Sequence, residues 1–337
     1  MKIAVVIVTH HQRNDALIRC LDSLKLLKDK FNCEVRLVIN GQNQSSSEIA
    51  KNHELKPLTL IVHPAKTPAY CRNLALSDEA WDWSFFLDDD AYISSDYITV
   101  LSSIFKLNQV PEVFGGPDLA YIHSTNFQKA VGIAQQSPLT TSITRFRHAD
   151  LGSSISLEEK GVPASENKLI LCNLWVKRTL WEKVGGFDAR FMRNEENIWL
   201  DKAGKYSDNI FYFNKLFVYH SKKNSFKDLY SAVFRSAYYR IKSTLLTESR
   251  LKPIYLAPLM FLIYLIALIF TCSMNIYLSL PIILYAILNL ITSVFYSQKN
   301  QYSSLTPLVM VIQFFILISY GIGSLWGVFG PDPKSDR

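Results

Sequence analysis

Charge is what the end of this chain lacks. Over its 337 residues the formal balance is +7, yet no Asp, Glu, Lys or Arg occurs in 253–298 or in 300–331, which leaves Lys299 isolated. A helix bundle in water needs a charged outer face, so a bundle exposed to water is excluded there. Cysteine is also scarce and scattered: Cys20, Cys33, Cys71, Cys172 and Cys272 form no CxxC pair. That excludes a zinc ribbon and a disulfide framework and fits a reducing compartment. No glycine-rich phosphate loop follows the first apolar run, which continues as THHQRND, and this argues against a nucleotidyltransferase. The opening MKIAVVIVTHH has an apolar core of roughly six residues and no small-residue cleavage site, too little for a secretory leader. The first 250 or so residues are therefore expected to stay in the cytoplasm.

The uncharged tail reads as membrane-embedded, because about 20 apolar residues cross the roughly 30 Å of hydrocarbon. A turn at Ser273-Met274-Asn275 divides the region 253–330 into candidate spans at 254–272, 276–296 and 305–329. A buried helical hairpin in a soluble core is the competing reading. Three spans would leave the tail 332–337 on the far side, whereas Gly321, Gly323, Gly327 and Gly330 also suit a re-entrant last segment. Just before the tail, 221–252 holds eight Lys and Arg against Asp228 and Glu248. Phe226, Leu229, Tyr230, Val233, Phe234, Ala237, Tyr238 and Ile241 recur there at spacings of three and four. That is a basic amphipathic helix, suited to anionic headgroups at about 1 kcal/mol per cation. Packing on the domain's own core explains the apolar face equally. By the positive-inside rule the segment places the preceding domain on the cytoplasmic side, and it removes the need to invoke nucleic acid.

Residues 1–220 alternate strand and helix patterns. Apolar runs at 2–8, 34–39, 58–62 and 83–87 predict strands, and helical spacing at 16–27, 67–79 and 94–107 predicts helices. Further on, 168–176 and 209–218 read as strands and 178–184 and 195–203 as helices, while 135–167 has no assignable pattern. The result is an α/β fold with a mostly parallel sheet covered on both faces. Ligands of such sheets sit at the strands' carboxyl ends. Those ends carry Thr9-His10, Asn40-Gly41-Gln42-Asn43, His63-Pro64 and Asp88-Asp89-Asp90.

Three adjacent carboxylates after an apolar strand repel one another unless a cation joins them, and Mg²⁺ or Mn²⁺ takes carboxylate and phosphate oxygens. Strand alternation predicts Asp88 and Asp90 on one side and Asp89 on the other. Capping of the following helix is the alternative role for these residues. Arg72 offers a guanidinium for a phosphate or a carboxylate, and Glu195 and Glu196 either do acid–base work or favour a helix N-terminus.

In order, the chain presents VVIVTHHQR, a polar loop after the second strand, AYCRNLAL, LDDDAYI, VGGFD and NEEN. This succession resembles the family 2 glycosyltransferases of GT-A (Rossmann-like) fold across residues 2–220. The resemblance implies a nucleotide pocket lined by Thr9 and the loop around Asn40, with Arg72 and Asn73 nearby. At position 40 the family usually has Asp, although an amide also bonds a base edge. It further implies that Asp88 and Asp89 face the donor, and that Asp88 and Asp90, completed by His220, hold the divalent metal. Glu196, in the second place of an acidic pair that is usually Glu-Asp, is implied as the base, with Glu195 as the alternative. His10 and His11 have no such support.

The function so implied is inverting transfer of a sugar from a nucleotide-diphosphate sugar to a membrane acceptor at the cytoplasmic face of a bacterial inner membrane. A lipid-linked glycan of cell-surface polysaccharide synthesis is the expected acceptor. A polyprenyl-phosphate glycosyltransferase and a non-catalytic membrane binding protein are the alternatives. The missing QxxRW-like motif in 221–252 disfavours a processive synthase.

Overall fold

In the computed structural model the described residues are 1–10, 13–78, 81–121, 123–149, 161–271 and 276–333. His11 and the turn expected at 273–275 lie outside them. Two compact units emerge: residues 1–119 with 149–221, and residues 120–148 with 222–332. The sequence placed the whole of 1–220 in one domain; the segment 120–148 instead packs in the second unit.

The first unit opens with β1 (Ile3–Thr9), α1 (Asn14–Lys30), β2 (Cys33–Asn40), α2 (Gln44–Asn52), β3 (Leu58–His63), α3 (Pro68–Ala75) and β4 (Trp83–Phe86). It continues through β5 (Ala91–Tyr92), α4 (Ser95–Ile104), β6 (Val113–Gly115) and β7 (Asp118–Ala120). Its eight-stranded sheet also takes in β8 (Val162–Pro163), β9 (Leu174–Lys177) and β10 (Ile210–Tyr212), in the order β3-β2-β1-β4-β9-β6-β10-β8. The pairs β1–β2, β1–β4, β2–β3 and β6–β10 are parallel, and those of β9 with β4 and β6 are antiparallel. A second sheet orders β5, β11 (Val218–His220) and β7. Helices α7 (Arg178–Val184) and α8 (Glu195–Ala203) match their sequence patterns.

Burial follows the period of each element. On α1 the residues at helical spacing, Leu17, Cys20, Leu21, Leu24 and Leu27, are buried against Ile3, Val5 and Ile7 of β1. Strand β9 is fixed by an aromatic stack in which Trp175 lies 4.6 Å from Phe85 and 5.6 Å from Phe114. The Trp175 indole donates to the Tyr97 hydroxyl, which donates to Asn173.

Three elements depart from the sequence reading. The helix expected over 67–79 stops at Ala75, because Arg36 takes the Ala75 carbonyl and pairs with Asp78. Of the strand expected over 168–176 only Leu174–Lys177 pairs, since 165–169 turns and the Asn173 amide donates to the Leu216 carbonyl. The strand expected over 209–218 is two strands parted by a turn at 213–216, packed against Gly116. A Cβ there would lie 2.1 Å from the Leu216 carbonyl oxygen, so no larger residue fits.

The second unit contains α5 (Asn126–Gln135), α6 (Pro138–Thr141), α9 (Phe226–Leu246), α10 (Ala257–Thr271), α11 (Leu280–Lys299) and α12 (Thr306–Phe329). Three segments, Pro253–Thr271, Ile276–Lys299 and Ser303–Phe329, are long and apolar enough to cross a membrane. The segment 120–148 belongs here because Ala130, Val131, Ile133 and Ala134 of α5 bury against Leu305, Val309, Ile312 and Ile316. The interfacial segment expected at 221–252 is α9, whose Leu229, Ala237 and Ile241 are buried.

Candidate active site at the carboxyl edge of the sheet

Parallel pairing of β1, β2 and β4 brings Thr9, Asn40 and the 88–90 segment to one edge. After β4 the chain does not continue as a strand: the Ala91 N–H bonds the Asp88 carbonyl, a tight turn that returns as β5. Pairing of β5 with β11 sets His220 opposite Ala91, and the Ser221 N–H donates to the Asp90 carbonyl. This local return puts an imidazole beside the aspartates.

Asp88 and Asp90 converge on His220, whose Nε2 lies 3.0 Å from Asp90 and 3.9 Å from Asp88. Asp89, which does not reach His220, accepts from the Thr9 hydroxyl at 2.6 Å. Asp88 and Asp90 share His220, as strand alternation predicts for that pair, but the residues form a turn, and a single guanidinium spans Asp89 and Asp90. Arg13, just before α1, donates to both Asp89 and Asp90. Asp118, at the start of β7, lies 2.8 Å from His220 Nδ1 and fixes the ring. Neither Arg13 nor Asp118 was singled out in the sequence. Arg13 sits inside the VVIVTHHQR motif, and Asp118 follows the run Gly115-Gly116-Pro117, the one available signal for it.

A second cluster adjoins the first. Arg72 of α3 donates to Glu195 at 2.8 Å and to Asp88 at 3.2 Å, with both Arg72 and Glu195 buried. Glu195 opens α8 after Asn194, which takes a left-handed φ of 72° that asparagine tolerates. Glu196 is half-buried, and its carboxylate accepts from Asn197 at 2.9 Å. Asn73 and Asn40 have both ends of their amides engaged. Asn73 accepts from the Phe187 N–H and donates to the Phe187 carbonyl, and Asn40 does the same with Lys66. His10 lies 2.7 Å from the Asn40 carbonyl.

Burial and charge pull the titrations apart. Burial raises Asp89 to about 6 despite Arg13. Burial raises Glu195 to about 7, opposed by Arg72 and helped by Glu196. At His220 burial disfavours the charged ring, but Asp90 and Asp118 outweigh it and hold the value at about 10. Arg13 is raised, as Asp90, Asp89 and Asp88 outweigh its burial. Carboxylates outnumber cations here, so the cluster suits a further positive charge.

The donor set fits a divalent metal. One ligand atom each from Asp88, Asp90 and His220 lie within 4.8 Å of one another, and two oxygens with one imidazole suit Mn²⁺-type chemistry. Asp118, Cys172 and His220 form a second such group among the described residues. It shares His220, whose Nδ1 already faces Asp118.

Residues 5–151 match the family model for Glycosyl transferase family 2. A mannosyltransferase from Pyrobaculum calidifontis, solved with GDP-Man and Mn²⁺, aligns with 96% of this chain and 87% of its own at 14% identity and a TM-score of 0.57. The fold is thus of GT-A type. The 1–349 fragment of S. aureus TarS aligns over 98% of this chain and 92% of its own, at 14% identity and a TM-score of 0.45. No curated protein sequence gives a significant match.

Proposed function

We propose that this chain, which carries the family 2 glycosyltransferase signature over residues 5–151, transfers a sugar from a nucleoside-diphosphate sugar to a membrane-borne acceptor with inversion. The observation that carries the reading is the convergence of Asp88, Asp90 and His220 at the carboxyl edge of the sheet. These residues would hold a divalent cation, which when bound neutralises charge on a departing diphosphate. The Pyrobaculum protein's GDP-Man and Mn²⁺ are the ligand chemistry such a trio suits.

The chain's own groups divide the remaining work. Arg72, braced by Glu195 and Asp88, supplies a fixed cation for donor phosphates. Glu196, the more exposed of the acidic pair, accepts the proton of the acceptor hydroxyl, a role worth about 10²–10⁴ in rate. Thr9, Asn40 and Asn73 act as positioning residues, each committed to a protein partner. Asp89, held by Thr9 and Arg13, fixes the turn between Asp88 and Asp90. The apolar C-terminal helices anchor the protein in the membrane, with the catalytic unit cytoplasmic and the acceptor lipid-linked. The exposed Lys227 and Arg235 of α9 face anionic headgroups.

The test is a panel of nucleotide sugars with the full-length protein in detergent, with Mn²⁺ or with chelator. Release of nucleoside diphosphate is measured, with a lipid-linked glycan or a polyprenyl phosphate as acceptor. Metal-dependent turnover that disappears in Asp90→Ala is expected. Turnover by Asp90→Ala equal to wild type would refute the assignment.

A further inference from the structure

Hydropathy treats the three apolar helices of the second unit alike, but their contacts do not. Helices α10 and α11 form an antiparallel hairpin: the Phe261 and Tyr285 rings are 4.8 Å apart, and the Tyr264 hydroxyl accepts from the Ile282 N–H and donates to the Leu278 carbonyl. In that register Pro258 of α10 stands level with Leu288 and Asn289 of α11. Helix α12 meets α11 where Asn289 donates to the Met310 carbonyl, and meets α10 where Gly321 lies against the Pro258 carbonyl. From Met310 to Gly321 a helix advances about 16 Å along its own axis. Along the hairpin those two contacts are at one level. The adjacent residues Gln313 and Phe314 likewise reach Ser293 and Tyr285, which are well separated on α11. Such a pattern requires α12 to cross the hairpin rather than run beside it.

The company α12 keeps points the same way. Helix α9 runs parallel to it, with Phe226 against Phe315, the Phe234 carbonyl and Ala237 against Gly323, and Ile241 against Gly327. At its end the buried Lys242 ammonium donates to the Gly330 carbonyl and to Asp332. Helix α9 carries Lys227, Asp228, Arg235, Arg240 and Lys242, and a charge at the bilayer centre costs about 2.5–3.5 kcal/mol per residue on insertion scales. A helix so charged does not span, and neither does the helix that shares its path. Burial agrees: 50% of the apolar window of α12 is buried, against 6% and 11% for those of α10 and α11.

We infer that α12 does not cross the bilayer. With α9 it lies in the bilayer surface across the base of the α10–α11 hairpin, and residue 332 emerges on the side from which the chain enters α10. The partner is a phospholipid surface with anionic headgroups, met by exposed Lys227 and Arg235 of α9 and by exposed Val311, Phe314, Leu325, Trp326 and Phe329 of α12. The inference rests on membrane anchoring as proposed above and revises the count of crossings.

The test uses the full chain with a reporter fused before Met1 or after Arg337, each as green fluorescent protein or as alkaline phosphatase, in bacterial cells. Bright fluorescence and background phosphatase activity at both ends are expected. A dark, phosphatase-active carboxyl terminus with a bright amino terminus would overturn the inference and restore three crossings. An alkaline wash of the membranes reads anchoring separately. Loss of the protein from the washed pellet would defeat the anchoring reading itself, and the inference with it.

Discussion

Glu195→Gln is the perturbation whose size the site geometry sets. Its carboxyl moves from an ordinary 4.5 to about 7 because it is buried, against the pull of Arg72. The folded protein therefore holds the proton more tightly than the unfolded chain does. Between those pH values the native state carries more protons, so this group's stabilisation is complete below pH 4.5 and is lost as pH rises through 7. At 1.36 kcal/mol per unit the loss amounts to about 3 kcal/mol. Glutamine mimics the neutral acid and cannot ionise, so it removes that slope while keeping the shape. Urea unfolding of both proteins in detergent, followed by near-ultraviolet circular dichroism from pH 4.5 to 8, gives the difference between the two slopes, from which contributions common to both proteins, such as that of Asp89, drop out. The variant should gain on wild type by about 3 kcal/mol across the range. Parallel stability curves would refute the burial argument for Glu195.

Glu196→Gln should leave donor binding within about twofold while lowering acceptor-dependent transfer by about 10²–10⁴. Calorimetric donor titration beside a transfer assay reads both, and equal transfer rates would shift the base role to another group. Gly323→Ala should lower stability by about 1–3 kcal/mol, because its Cβ would lie 2.3 Å from the Phe234 carbonyl. In a thermal-shift assay it should fall well below Gly204→Ala, which meets nothing nearer than 3.6 Å.

What the sequence disclosed depended on how local the cause was. The strands β1 to β4 and their polar ends were legible because each is a continuous apolar run followed by polar residues, and a parallel sheet lines such ends up without long-range detail. Asp88, Asp90 and His220 were recognisable through motif order. Their meeting depends on the β5–β11 pairing, which joins residues about 130 positions apart and leaves little trace in either short strand. Arg13 and Asp118 were missed for the same reason, since each acts on a residue about 80 to 100 positions away. The grouping of 120–148 with the second unit leaves no mark in the sequence, because the apolar spacing of α5 marks a buried face but not what covers it.

Two asparagines, one ending β2 and one on α3, have a chemical corollary. At 40 and at 73 the side chain imitates a length of peptide backbone, its oxygen facing an N–H and its nitrogen facing a carbonyl on another segment. A carboxylate has the same outline but no donor, and would set an anion against the Lys66 or Phe187 oxygen. The amide at position 40 thus acts as a rung joining the end of β2 to the loop at Lys66, and replacing it by aspartate would unfasten that loop from the sheet.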